Sequence, residues 1–337
     1  MIGYYVHHHG SGHLHRSTAL AHALVAAGEE VTGLSSLPRP ADWPGSWVDL
    51  PRDDEGGPPV AETAGGRLHW APLGDEGLRA RTAAVSSWIG AAAPRCVVVD
   101  VSVEVCLLVR LHGVPVVSVV LPGSRGDAAH LLGLEAADAL VSMWPPEAHG
   151  MLRDVPDGVR ARLRPLGALS RFPVAEPGSR RPGPRRVLVL SGTGGGDLDL
   201  ARLRRAQAET PDWEWTVLSR THGTWVDDPA PLLADADVVV THAGQNALAE
   251  VASARTPAVV VPQDRPHEEQ RTTASVLGAG GWPVLVEQTF PADGWAARLD
   301  AAARLDGGAW SRWCDGEAAG RFVAVVQETA GRWRVAS

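Results

Sequence analysis

Short apolar runs alternate with amphipathic segments along the whole chain. Met1–Val6 (MIGYYV) reads as a buried strand, and His13–Ala27 as a helix with Ala19, Leu20, Ala23, Leu24 and Ala27 on one face. Val31–Leu34 is a second strand. Leu37–Glu76 is rich in Pro, Gly and Asp and reads as irregular, with short strands at Trp47–Leu50 and Leu68–Trp70. Helices are expected over Gly77–Ala92 and Val103–Leu111, and strands over Cys96–Val99, Val114–Val120 and Ala139–Val141. Apolar runs flanked by helices are what a parallel sheet covered on both faces requires.

Pro165–Arg186 (PLGALSRFPVAEPGSRRPGPRR) breaks this rhythm with proline, glycine and arginine and reads as a linker. The alternation then restarts. Strands are expected at Val187–Leu190, Trp215–Ser219, Asp237–Val240, Ala258–Val261 and Val284–Val286. Helices are expected at Leu200–Glu209, Gln245–Ser253 and Glu268–Leu277. The predicted class is α/β, with two doubly wound, Rossmann-like domains. Residues 1–166 form the first, 167–186 the linker and 187–317 the second, and a terminal helix over 318–335 returns to the first. A length of 337 residues suits two domains.

Composition removes several function classes. A net charge of −8 argues against bulk nucleic-acid binding, which needs a basic surface. All 31 basic side chains are arginine, a mark of GC-rich coding rather than of chemistry. Cys96, Cys106 and Cys314 lack CxxC spacing and read as buried free thiols, not as a disulfide framework or a zinc site. No basic-then-apolar leader opens the chain, and no apolar run approaches the ~18 residues of a membrane span. The expected location is cytoplasmic, with membrane contact at most peripheral, at the inner face.

Three segments carry candidate chemistry. His7–Arg16 reads HHHGSGHLHR. Gly10-Ser11-Gly12 follows the first strand and opens the first helix, so backbone N–H groups there can receive an anion. The third glycine of a dinucleotide fingerprint is missing. The histidines invite a metal reading, but neighbouring strand-end side chains point to opposite faces. No metal site is therefore expected. His13 stands at the helix start, at the carboxyl edge of the sheet, either as a cleft histidine with a chemical role or as a simple cap. The second segment, Ser191-Gly192-Thr193-Gly194-Gly195-Gly196, is a loop able to cradle a phosphate. It lacks the Lys-Ser/Thr of a nucleoside-triphosphatase loop.

The third runs from Thr224 to Gln270. One strand ends in Thr-His-Ala-Gly before a helix that carries Glu250. The next strand leads to Glu269 and Gln270 at another helix start. Both loops meet at one sheet edge. N–H donors at a helix start suit a diphosphate, and a carboxylate suits ribose hydroxyls. An acid–amide pair suits a sugar, whose hydroxyls both donate and accept. In the first half, Asp100 and the loop Pro122–Asp127 with His130 sit at strand ends. Asp100 is placed to orient His13, and Arg125 and His130 to line an acceptor side.

WVDDP, ADVVVTHAGQNALAE and TPAVVVPQDRPHEEQ, in that order, resemble the donor domain of the GT-B glycosyltransferases. They are similar to the peptidoglycan N-acetylglucosaminyl, glucuronosyl and antibiotic transferases. The resemblance covers Val187–Leu285, and GSGHLHR resembles the same family's GxGH loop. It implies a GT-B fold, with the two domains facing each other across a cleft. It also implies an inverting, metal-independent hexosyl transfer without cofactor, from a nucleotide sugar, of UDP type, to an acceptor hydroxyl. Under it, Ser191, Gly192, Thr193, Gly194, Val226, His242, Ala243, Gly244, Gln245, Asn246 and Glu250 would hold the nucleotide. Glu269 and Gln270 would hold the sugar, Gly10, Ser11 and Gly12 would face phosphate, and His13 with Asp100 would be the base. Gln245-Asn246 departs from the peptidoglycan enzymes and leaves the acceptor open. The alternatives are a nucleotide-sugar hydrolase of the nonulosonic acid type, which shares GxGHxxR, and a non-catalytic nucleotide-sugar-binding protein.

Overall fold

The computed structural model describes residues 1–8, 11–176, 183–191, 199–219 and 225–332, without the Ser11 side chain. Gly10, Gly192, Thr193 and Gly194 lie outside the described residues. The first half contains strands β1 Ile2–Val6, β2 Val31–Ser35, β3 Ser46–Asp49, β4 Cys96–Asp100, β5 Val116–Val120, β6 Gly123–Ser124, β7 Ala139–Ser142, β8 Leu152–Arg153 and β9 Leu163–Pro165. Its helices are α1 Ser11–Ala26, α2 Glu76–Ala92, α3 Val103–Leu111, α4 Ala128–Ala136 and α5 Asp157–Arg160. Seven strands form one parallel sheet in the order β3-β2-β1-β4-β5-β7-β9, and β6 pairs with β8.

The second half contains β10 Arg185–Leu190, β11 Trp213–Leu218, β12 Val238–Thr241, β13 Ala258–Val260 and β14 Val284–Val286. These form a parallel sheet ordered β11-β10-β12-β13-β14. Around it run α6 Leu200–Glu209, α7 Ala230–Asp235, α8 Gln245–Ser253, α9 Glu269–Ala279 and α10 Trp295–Ala302, followed by α11 Ala318–Arg332. Each sheet reverses its strand order beside its first strand, at β1 and at β10. Open parallel sheets bind ligands at such a reversal, beyond the strands' carboxyl ends. Both halves are thus Rossmann-like, and they face each other across a cleft.

The apolar runs became strands for the expected reason. β1, β4 and β5 are buried at every position because helices cover both faces. Cys96, Cys106 and Cys314 are buried and free. Helices α4 and α7 and strands β6, β8 and β9 were not expected, and other details differ. Helix α1 begins at Ser11, so His13 lies in its first turn. Its buried stripe is Arg16, Ser17, Leu20, Ala21 and Leu24, while Ala27 is exposed. No strand forms at Leu68–Trp70, because the backbone N–H groups of His69 and Trp70 donate to Glu104 Oε1 (2.7 and 3.1 Å) instead of to a neighbouring strand.

Arg185 and Arg186 open β10, and the Asp237 carboxylate accepts from the Arg186 N–H. The terminal helix ends at Arg332, and 333–335 lie outside the described residues. This helix packs onto the first sheet, with Phe322 fully buried beside Tyr4 (ring centroids 6.3 Å) and Val326 in the same cluster. No helix among the described residues is long and apolar enough to cross a membrane.

Phe322→Ala is expected to cost about 3–5 kcal/mol of unfolding free energy, the usual toll of a buried aromatic cavity. Leu111→Ala, at an exposed position, should stay within about 0.5 kcal/mol. Urea denaturation of both variants measures the difference.

Candidate functional site

A cleft of about 1730 Å³ lies between the carboxyl edges of the two sheets. It is lined from the first half by Gly12, His13, Arg125 and His130. From the second half come Ser191, Val226, His242, Ala243, Gly244, Gln245, Asn246, Glu250, Glu269 and Gln270. Asp100 stands one layer behind His13, with no solvent exposure.

The first-half wall is built on β4. The strand ends at Asp100, and the next residue, Val101, has φ +66°. A left-handed conformation is costly for a β-branched side chain. It turns the chain so that Ser102 caps α3, accepting from the Val105 N–H. Asp100 is then left facing α1. Arg16 Nε donates to Asp100 Oδ2 (3.1 Å) and Arg16 Nη2 to Oδ1 (2.5 Å), while His13 Nδ1 lies 3.0 Å from the same Oδ1. Burial alone would raise the Asp100 carboxyl, but the Arg16 guanidinium and His13 hold it well below the ordinary carboxylate range. Arg16 follows His13 by three positions and so shares its helix face. That spacing is the signal that marks Arg16 as part of the site.

The second-half wall is the start of α8. Its N-cap is Gly244, with no side-chain cap and no acidic residue in the first turn. A Cβ at Gly244 would lie 2.4 Å from the His242 ring, so only glycine fits there. The Gly244 N–H donates to His242 Nδ1 (3.0 Å). The diphosphate donor expected at Gly244 is therefore turned inward. The N–H groups of Gln245, Asn246 and Ala247 are the first-turn donors that a helix leaves without an internal partner. Burial, with Arg265 nearby, pushes the His242 imidazole down to about 4 and keeps it neutral.

The two walls touch. Asn246 Nδ2 donates to Gly12 O (3.1 Å), and Arg16 Nη1 reaches Gln245 Oε1 (3.4 Å). At the sugar end, Arg125 Nη2 donates to Glu269 Oε1 (2.5 Å), so an expected acceptor-side residue and an expected donor-sugar residue form one ion pair. Gln270 is buried, and its Oε1 accepts from the Ala243 and Gln263 N–H groups (3.1 and 2.9 Å). Its Nε2 reaches Gln263 Oε1 (3.5 Å) with one of its two N–H groups, so the amide ties two cleft loops together and keeps a second N–H. Glu250 is seated against Arg171, whose Nε donates to Oε1 (2.8 Å). Arg171, Trp225, Arg265, His69 and His267 also line the cleft. They lie in loops and in the linker, where no periodicity singles them out.

Among the described residues, two side-chain groups have ligand-type atoms close enough to face one cation: His69, Asp127 and His130, and His8, Asp53 and Asp54. In the first, Arg125 Nη1 lies 2.9 Å from His130 Nε2 and Asp127 binds Nδ1. A guanidinium donor takes the Nε2 lone pair, which puts the proton on Nδ1, where a metal would have to bind. In the second, Arg52 pairs with Asp54 and Arg81 lies 3.7 Å from Asp53. Both groups read as ion-pair clusters.

Comparison with known proteins agrees with this layout. The glycosyltransferase family 28 C-terminal domain matches residues 209–289. The UDP-N-acetylglucosamine–N-acetylmuramyl-(pentapeptide) pyrophosphoryl-undecaprenol N-acetylglucosamine transferase of Nitratidesulfovibrio vulgaris (strain DP4) is 39% identical over 94 residues, 28% of this chain and 24% of the relative. The corresponding transferase of Cupriavidus pinatubonensis is 31% identical over 172 residues, 50% of this chain and 46% of the relative. The chain thus spans between about a quarter and a half of these curated relatives. Among solved structures, the glycotransferase of kitacinnamycin superposes with a TM-score of 0.68 at 18% identity, covering 97% of this chain and 98% of that one. MurG of Acinetobacter baumannii gives 0.66 at 16% identity, covering 97% and 99%. The chain has the GT-B fold and resembles these transferases.

Removing one partner of a buried ion pair strands the other. Arg16→Met is expected to cost about 3–5 kcal/mol, and the double variant Arg16→Met/Asp100→Leu distinctly less. The Asp100 carboxyl is held below its ordinary value, so its contribution is complete above about pH 4, where an unfolded aspartate is ionised. It is lost as pH falls from there through the lower folded value. Urea melts from pH 7 to pH 3 should give the double variant a shallower acid loss than wild type.

Proposed function

We propose that this chain is an inverting, metal-independent glycosyltransferase that moves a hexosyl group from a nucleoside-diphosphate sugar to an acceptor hydroxyl. One observation carries the reading. A buried, ion-paired aspartate holds a histidine at one wall of the cleft, and the other wall is a helix start without a side-chain cap that contacts the histidine's own helix.

The roles follow from that arrangement. The diphosphate sits at the start of α8, on the N–H groups of Gln245, Asn246 and Ala247, with Ser191 on the facing loop. The ribose meets Glu250, and the base meets the Val226 backbone. Glu269, and Gln270 through its amide nitrogen, hold the sugar. Gly12 faces the phosphates from the other domain, and Arg125 and His130 line the acceptor side.

His13 Nδ1 lies 3.0 Å from both Asp100 Oδ1 and Arg16 Nη2, and in the tautomer that donates from Nδ1 to the carboxylate the Nε2 lone pair is left for the acceptor hydroxyl. The acceptor oxygen attacks the anomeric carbon from the face opposite the diphosphate and gives its proton to Nε2. The bond from the anomeric carbon to the phosphate oxygen breaks, and its electron pair leaves on the nucleoside diphosphate. The positive end of α8 stabilises that charge without a metal. Hydrolysis would put water in the acceptor's place. The first-half wall supports transfer instead, because Val85, Val103, Cys106, Leu108 and Leu134 give an organic acceptor an apolar surface that water does not need. The matched relatives carry N-acetylglucosamine transferase in their names, which supports a UDP-type donor and transfer chemistry.

Incubation with UDP-sugars, with and without acceptor extracts, tests this reading. Acceptor-dependent release of nucleoside diphosphate is expected. Equal release without acceptor would make the chain a hydrolase, and binding without turnover would make it a binding protein. His13→Ala should cut kcat by at least about 100-fold, the scale of general-base catalysis, with UDP affinity nearly unchanged. Glu250→Ala should weaken UDP binding about 10-fold or more by calorimetry, the scale of a hydrogen bond to a charged group.

A further inference from the structure

Arg171 lies on the segment that joins the two sheets, and that segment is fastened to the end of α8. Ser170 Oγ meets Ser253 Oγ at 2.9 Å, the Phe172 N–H donates to Ser170 Oγ (3.0 Å), and the Ala175 N–H donates to Ser253 O (2.7 Å). Three contacts then hold the guanidinium in place. Nε donates to Glu250 Oε1 (2.8 Å), Nη1 donates to the Asp227 carbonyl (3.2 Å), and the group stacks on the Phe172 ring at 4.5 Å. Asp227 follows Val226, so Arg171 bridges the base-facing segment and the ribose-facing carboxylate.

A free carboxylate can accept from both vicinal hydroxyls of a ribose, one on each oxygen. Here the Glu250 side chain is only 12% exposed, and Arg171 is seated on Oε1. Among the described residues, Oε2 is the oxygen left without a protein donor, so the arrangement with one hydroxyl on each oxygen is blocked by Arg171. A 2′-deoxyribose brings one hydroxyl, on C3′. We propose that Arg171 determines nucleotide specificity by restricting Glu250 to a single sugar hydroxyl, so that 2′-deoxyribonucleoside diphosphate sugars are accepted on a par with ribonucleoside ones. This rests on the placement of ribose at Glu250. Burial raises the Glu250 carboxyl and the guanidinium offsets part of that, so wild type and variants are compared across a range of pH.

Titration calorimetry with UDP, 2′-deoxy-UDP and 2′,3′-dideoxy-UDP tests the proposal on the whole chain, without any acceptor. In the wild type, UDP and 2′-deoxy-UDP should bind within about threefold of each other, and the dideoxy compound about tenfold or more weaker, the value of one hydrogen bond to a charged group. In Arg171→Ala, and in Arg171→Met, which keeps the aliphatic stem against Phe172, Oε1 is released. UDP should then gain about tenfold over 2′-deoxy-UDP. A wild type that already prefers UDP tenfold overturns the proposal without any variant, and so does a ratio that both variants leave unchanged. The ribose placement fails differently. All three nucleotides then bind alike in the wild type, and Glu250→Ala changes none of them.

Discussion

The buried charge of Asp100 is the constraint from which the rest of the cleft follows. A carboxylate without solvent at the end of a central strand survives only if fixed donors surround it. Arg16 supplies two of them, and it can do so only if α1 starts at the sheet edge and turns its first two turns toward β4. That fixes where His13 stands, because the two side chains share a helix face. The strained Val101 is the same constraint seen from the strand side: the chain leaves β4 abruptly so that Asp100 stays pointed at α1 while Ser102 begins α3.

The position of α1 then sets the relation between the halves. Gly12 O receives Asn246, and Arg16 reaches Gln245, so the element that carries the histidine also contacts the helix start across the cleft. At the far end, Arg125 and Glu269 repeat the arrangement, as do Arg153 and Glu268 (3.2 Å). Gly123, at φ +108°, brings its backbone against His267 O, where a Cβ would lie at 2.2 Å. These polar inter-half contacts stand beside an apolar cluster that takes in Trp144, Met151 and Leu152 of the first half and Leu277, Trp282 and Trp313 of the second.

Much of this was legible in the sequence, for a definite reason. Strands buried on both faces leave uninterrupted apolar runs, and helices between them leave spaced ones, so the two sheets and most helix ends could be read directly. His13 and Asp100 were legible as residues at strand carboxyl ends beside a glycine turn, where Rossmann-like sheets place ligands. What escaped was set by partners distant in sequence. Glu104 suppresses a strand at Leu68–Trp70 by taking two backbone N–H groups from 34 and 35 residues away. Gln270 reads as a sugar ligand but spends its oxygen on two loop N–H groups, and Arg171 reads as linker arginine but sits on Glu250. Side-chain hydrogen bonds of this kind carry no periodicity, so no pattern along the chain announces them.

The histidines after β1 show how the same logic divides one motif. His7 and His8 follow β1 directly, and their rings lie 5.2 Å apart. The His7 ring also stacks near His13 (5.8 Å between centroids, 25° between planes). His8 is buried, with Nε2 at 3.6 Å from Asp53 and 3.4 Å from Asp54. Behind Asp53 lies Arg81, itself buried, donating to Tyr5 Oη (2.6 Å) and to Pro51 O (2.9 Å). His13 and His8 therefore belong to two charged groups, Asp100–Arg16 and Asp53–Arg81. The His7 ring lies between them, 5.8 Å from the first imidazole and 5.2 Å from the second.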